Sequence, residues 1–272
     1  MKVRIKFSKH GPIRFIGHLD VMRYFQKAMR RAEIDIAYTA GYSPHQIMSF
    51  AAPLGVGLES NGEYMDIECH SVTDSIDMME RLNSVSAPGI EVISVKQLPE
   101  HAGNAMASVA AAGYTVRFRE GRAPKFDYVS ALPSFLAKEQ IMITKETKTG
   151  TKEVDIRPGI YEMSIAPLSA NTGKFQNTAQ SCDSKDAACA AAKHSAIYMK
   201  VDASSAGNIK PGKVIEVFLE NFGEKLAENA LLITREDVYT NIGSEEQPNL
   251  VPLDEVGSDI LPESPIPEET CV

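Results

Sequence analysis

The chain is poor in cysteine. Its 272 residues hold four, Cys69, Cys182, Cys189 and Cys271. No two of them have the two-residue gap of a zinc knuckle, and Cys182 and Cys189 are separated by six residues. The spacing also argues against an iron–sulfur cluster, and free thiols are the expectation over a disulfide framework. There is no run of about 18 apolar residues, and hence no segment suited to span a membrane as a helix. Met1 to Phe7 alternates polar and apolar residues instead of forming the continuous apolar core of a signal peptide, so a cytoplasmic protein is expected. A P-loop, a dinucleotide-binding glycine pattern and a nucleophile elbow are all lacking. No metal or cofactor is expected.

What the chain does have is the composition of a folded protein, with 43% hydrophobic and 24% charged residues. The length suits one large or two ordinary domains. The net charge of −8 is unevenly spread. Residues 1–60 carry nine bases and four acids, a balance of +5, whereas residues 236–272 carry ten acids and no base. The overall acidity therefore does not exclude a polyanion partner for the N-terminal part.

Along the chain, Lys2 to Ser8 reads as a strand with Val3, Ile5 and Phe7 inward. A loop through Gly11-Pro12 leads to a helix over about His18–Ala32, with Leu19, Met22, Phe25, Met29 and Ala32 at apolar spacing. Ile34–Tyr38 and Glu63–Cys69 read as strands. Ile76, Met79 and Leu82 mark a second helix, and Ile90–Val95 a fourth strand. Strand, helix, strand, strand, helix, strand is the split βαβ order of a ferredoxin-like unit, which leaves one sheet face free for a partner. The pattern then starts again, with a strand at Tyr114–Arg119, a helix over Phe126–Lys138 interrupted at Pro133, and a hairpin around Lys148-Thr149-Gly150. Further strands follow, then a helix at Pro211–Phe222 and a closing strand at Ala230–Tyr239. The expected fold is α+β, with tandem ferredoxin-like (βαββαβ) units and antiparallel sheets. The expected boundaries are a first unit at 1–98, a linker at 99–112, and a second unit at 113–240 with an inserted loop at about 168–194. An acidic flexible tail at 241–272 completes the chain, its apolar cluster Leu250-Val251-Pro252-Leu253 suited to docking.

The sharpest functional signal is Arg23, Lys27, Arg30 and Arg31. Spacings of three and four place them on one helical face, where they can neutralise successive phosphates. Lys9 and Arg14 in the preceding loop extend the surface, and a plain solvated helix face is the alternative. Tyr42 and Phe15, flanked by glycine and basic residues, are candidates for stacking on bases, with buried loop anchors as the alternative. His18 and His45 are candidates for acid–base cleavage of a phosphodiester beside Arg14. Equally, His18 can cap the helix and His45 can brace its turn, the latter also lining an RNA surface.

Gly11-Pro12-Ile13-Arg14-Phe15-Ile16-Gly17-His18-Leu19-Asp20, Arg30-Arg31-Ala32, Gly41-Tyr42-Ser43-Pro44-His45 and the run from Pro53 to Tyr64 together resemble a bacterial radical-SAM-associated family of unknown function. The likeness covers about the first 95 residues, with weaker support at Asp155-Ile156-Arg157-Pro158, Asn208-Ile209-Lys210-Pro211 and Thr234-Arg235. Members are found alone, fused to, or encoded beside a cobalamin-binding radical SAM enzyme, so the resemblance implies that partner. This chain has no Cys-x-x-x-Cys-x-x-Cys cluster loop, so the implied role is accessory. The first unit also looks, at the level of fold, like the RAMP-type RNA-processing proteins of CRISPR systems. The function expected is an RNA-binding module assisting modification of tRNA or ribosomal RNA. An RNA endonuclease and a protein–protein adaptor are the alternatives.

Overall fold

The structure is a computed structural model and describes residues 1–147, 150–167, 195–244 and 247–262. The expected insertion at 168–194 lies outside these residues. The chain divides into two compact units: Met1–Gly57, Gly62–Ser108 and the segment from Ile242 onward form the first, and Leu58–Asn61 with Val109–Asn241 form the second. Both are mixed α/β, with mostly antiparallel strands.

In the first unit, β1 (Lys2–Lys9) lies between β4 (Ile90–Gln97) and β3 (Glu59–Glu68), and β2 (Met48–Phe50) pairs antiparallel with β3. Val3, Ile5 and Phe7 are buried, as the alternation predicts. They share a core with Val21, Phe25, Ala28 and Met29 of α1 (His18–Arg31) and with Met78 and Leu82 of α2 (Ser75–Ser84). The rings of Phe7, Phe25 and Phe50 form its aromatic centre, Phe7 and Phe25 being 4.5 Å apart. Asp74 starts α2 by accepting hydrogen bonds from the amides of Ile76 and Asp77. After α1, Glu33 takes a left-handed backbone, φ 53°, and ends the helix.

Three sequence expectations shift in detail. The second strand is Met48–Phe50, not Ile34–Tyr38, where only isolated bridges form, Ile36 to Cys69 and Tyr38 to Gln46. In α2 it is Met78 and Leu82 that face the core, while Ile76 is exposed. In α1 the buried stripe runs through Val21, Phe25, Ala28 and Met29, and Leu19 is 60% exposed.

The larger correction concerns the sheet face away from the helices, expected to be free, and the C-terminal segment, expected to be a flexible tail from residue 241. Within the first unit these two occupy each other. Residues 250–260 form a strap, from β11 (Leu250–Pro252) through a 3-10 turn, Leu253–Val256, to Ile260. Leu253 is buried, and its carbonyl accepts from Arg4 Nη1 at 3.0 Å. The same guanidinium grips Asp66 through Nε at 2.7 Å and Nη2 at 2.9 Å, and Arg4 is only 1% exposed. Asp254 accepts from Tyr64 Oη and Ser94 Oγ and lies 3.6 Å from Lys6 Nζ. Further on, Ser258 exchanges both backbone hydrogen bonds with Gln97, Asp259 pairs with Lys96 at 2.7 Å, and Ile260 bonds Ser75. A Cβ on Gly257 would stand 2.7 Å from Lys96 Cβ and 2.8 Å from the Gln97 carbonyl, so only glycine admits this approach. The strap follows from polar pattern: Arg4, Lys6, Tyr64, Asp66, Ser94 and Lys96 need partners that the helix side cannot supply.

In the second unit the antiparallel order is β10-β5-β9-β8, built from β5 (Ala111–Phe118), β8 (Ile160–Pro167), β9 (Ser195–Asp202) and β10 (Leu231–Asn241). Glu59 and Ser60, at the start of β3, pair parallel with Thr234 and Arg235 of β10. The core joins Tyr114, Val116, Ile197, Met199 and Val201 to α4 (Tyr128–Leu136) and α5 (Pro211–Asn221), with Phe135 and Phe218 rings 5.1 Å apart. Asp127 caps α4, and Pro133 sits inside it. The hairpin β6 (Met142–Thr147) and β7 (Gly150–Asp155) pairs only with itself. Within the expected linker at 99–112 lies a short helix, α3 (Ala105–Ser108).

Removing one partner of the buried ion pair, as in Asp66→Asn or Arg4→Ala, should lower unfolding stability by about 3–5 kcal/mol in chemical denaturation. Truncation after Pro248 should likewise abolish the slow hydrogen exchange of β1. A pH effect is expected as well. Burial holds the Cys69 thiol up at about 11 against an ordinary 9.0, with the N-terminal ammonium opposing and Asp35 adding to the rise. The folded state therefore favours the protonated thiol, and this contribution to stability is present below pH 9 and lost as pH rises from 9 to 11. Denaturation midpoints measured across that window, in wild type and Cys69→Ala, check it.

Candidate nucleic-acid interface

The exposed side of α1 follows from the residues that bury its other side. With Val21, Phe25, Ala28 and Met29 turned inward, a period of 3.6 leaves Arg23, Lys27, Arg30 and Arg31 outward, and all four are exposed. Two are tethered. Arg23 Nη1 lies 3.3 Å from Asp20, a pair in which both side chains are more than half exposed and which contributes little. Arg31 Nη2 donates to the Val85 carbonyl at 3.0 Å. Among the described residues, neither Lys27 nor Arg30 has an ion-pair partner.

At the N-terminal end of the helix, the loop from Gly11 to Phe15 is a 3-10 turn. Arg14 is half-buried there, and its guanidinium lies 4.9 Å from the Phe15 ring centre; the ring is 62% exposed. Leu19, four residues on, shares the outward face. The Gly57 amide donates to the Arg14 carbonyl, which sets exposed Val56 beside the same loop.

The Thr39–Gln46 turn carries Tyr42, which is fully exposed. His45 braces this turn: its amide donates to Thr39 Oγ1 and its Nδ1 lies 3.0 Å from the same oxygen. The turn is tied to α1 where Gln46 Nε2 donates to the Gln26 carbonyl.

Lys9 does not belong to this surface. It is 2% exposed, and its ammonium donates to the Ile16 carbonyl at 2.9 Å. The signal was in the strand pattern, since Lys9 follows Val3, Ile5 and Phe7 at the same two-residue step and so turns inward. Sequence reasoning also passed over Glu63, buried on β3. Lys9, His18 and Glu63 line one small cavity of about 10 Å³ with Phe7, Val21 and Phe50, room for about one water. His18 there meets the Phe50 ring edge-on at 5.2 Å. The two candidate histidines thus have separate surroundings, His18 at the cavity and His45 at the turn, and no contact joins them. Among the described residues, no group of three or more His, Cys, Asp or Glu side chains gathers as a metal would require.

A mixed α/β protein with mostly antiparallel strands and one cationic helix face is the class that fold and surface define. The chain belongs to a family described as an uncharacterized protein conserved in bacteria (DUF2344), whose profile matches residues 2–211. No curated protein matches it. No helix among the described residues is long and apolar enough to cross a membrane.

The placement of the bases separates their roles experimentally. Lys9→Ala should lower stability by about 1–3 kcal/mol through loss of the buried bond to Ile16, read by chemical denaturation. Lys27→Ala should leave the denaturation curve where it is.

Proposed function

We propose that this chain is an RNA-binding accessory module that holds a structured RNA, tRNA or ribosomal RNA, for modification by a cobalamin-binding radical SAM partner. The exposed row of Arg23, Lys27, Arg30 and Arg31 carries the reading. It concentrates positive charge on one face of an acidic chain, at the spacing that suits successive phosphates. The radical SAM partner rests on the sequence resemblance alone.

On this reading both units are ferredoxin-like. The strand orders β4-β1-β3-β2 and β10-β5-β9-β8 each correspond to a βαββαβ chain path, and the β6–β7 hairpin is an addition to the second. Such units recur in many RNA-handling proteins, an argument from analogy only. The endonuclease alternative gains nothing from two histidines in separate surroundings. An adaptor using a free sheet face and free tail loses those surfaces in the first unit, where the strap covers the sheet.

Filter binding of full-length protein to tRNA and ribosomal RNA fragments across a salt series tests this. About four phosphate contacts predict a slope of log K against log salt near −3, and Arg23→Glu with Arg30→Glu should flatten it by about 1.5. Absence of binding at low salt, or binding indifferent to the double reversal, would sink the proposal.

A further inference from the structure

We infer that the ligand of the α1 face is RNA with unstacked bases, a loop or bulge, and that Tyr42 is the platform on which a base stacks. The inference rests on the RNA-binding reading above and narrows it. Charge alone does not distinguish paired from unpaired RNA, because both offer phosphates. The aromatic groups do. A-form duplex keeps its base faces stacked inside, so an exposed ring has nothing there to cover, whereas a splayed base offers its whole face.

Tyr42 has the features such a platform needs. The ring is fully exposed, yet its turn is closed by the Thr39–His45 hydrogen bonds, around a glycine at 41 whose φ of 113° other residues would not adopt without strain. A pre-ordered turn loses little freedom on binding. Gln46 anchors the turn at Gln26, three residues after Arg23, one before Lys27 and four before Arg30. Phosphates held by those bases would therefore belong to nucleotides near the one whose base reaches Tyr42. Phe15 offers a second ring, in the turn that precedes α1 on the Arg23 side of the row. One side of it carries the Arg14 guanidinium, and the ring remains largely exposed.

The test is fluorescence anisotropy with three RNAs matched in phosphate number: a stem–loop, a fully paired duplex and a single strand. The stem–loop and single strand should bind more tightly than the duplex at the same salt. Tyr42→Ala should weaken those two by about 5- to 100-fold and leave the duplex unchanged, while Tyr42→Phe keeps the wild-type preference. Because Tyr42 is fully exposed, its replacement does not threaten the fold. If all three RNAs bind alike, or if Tyr42→Ala weakens them equally or not at all, the inference fails while the cationic face stands. If none binds, or if Arg23→Glu with Arg30→Glu changes nothing, the underlying RNA reading fails instead.

Discussion

A guanidinium removed from water must keep its donors occupied, and in the first unit Arg4 meets that demand with two partners far apart in the sequence. Asp66 takes two of its N–H groups and the Leu253 carbonyl takes a third. The carboxylate alone would leave one side of the guanidinium to solvent, and the strap closes that side. Everything else along the strap is arranged in the same way. Asp254 and Asp259 lie against Lys6 and Lys96, the Ser258 backbone bonds Gln97, and Ile260 meets α2 at Ser75. The pair is weak as a source of net stability, since desolvating two charges offsets most of their attraction. Its effect is specificity, because this course of the strap gives Arg4, Lys6, Tyr64, Ser94 and Lys96 their partners.

The candidate surface was legible for a local reason. Four bases at three- and four-residue spacings define a helical face without knowledge of any other element, and the apolar residues between them say which way that face points. The same logic gave the core face of β1 and both central helices. It slipped by about one residue on α1 and α2, where Leu19 and Ile76 are exposed although their apolar character suggested burial. In α1 the fault is instructive: Val21 and Leu19 are equally hydrophobic to a pattern reader, and only the position of the sheet decides between them. Lys9 differs because β1 runs one residue past Ser8, where the alternation ends, and so carries Lys9 inward at the parity of Val3, Ile5 and Phe7.

The strap was illegible because nothing local distinguishes it. Its acids, prolines and scattered apolar residues are also the composition of chains that never fold. What orders it is a set of partners up to 249 residues away, Arg4 foremost. The polar alternation of β1 contained half of the information: Arg4 and Lys6 on the second face asked for negative charge, and the ten acids at the other end of the chain offered it.

The course of the backbone gives the first unit a particular relation to protein synthesis. Its last segment begins at Ile242, after a break that starts at Ser108, so most of the second unit is translated before the first unit's chain is complete. The N-terminal strands and helices leave the ribosome first but lack the residues that close over Arg4 until translation has passed Ile260. During that interval their polar sheet face is open to water and to other chains, while Val109–Asn241 is being synthesised. Contacts spanning so much sequence also form late and slowly once the chain is released. The first domain to be made is therefore the last to be finished, and its strand faces are most open to mispairing while the chain is still being synthesised.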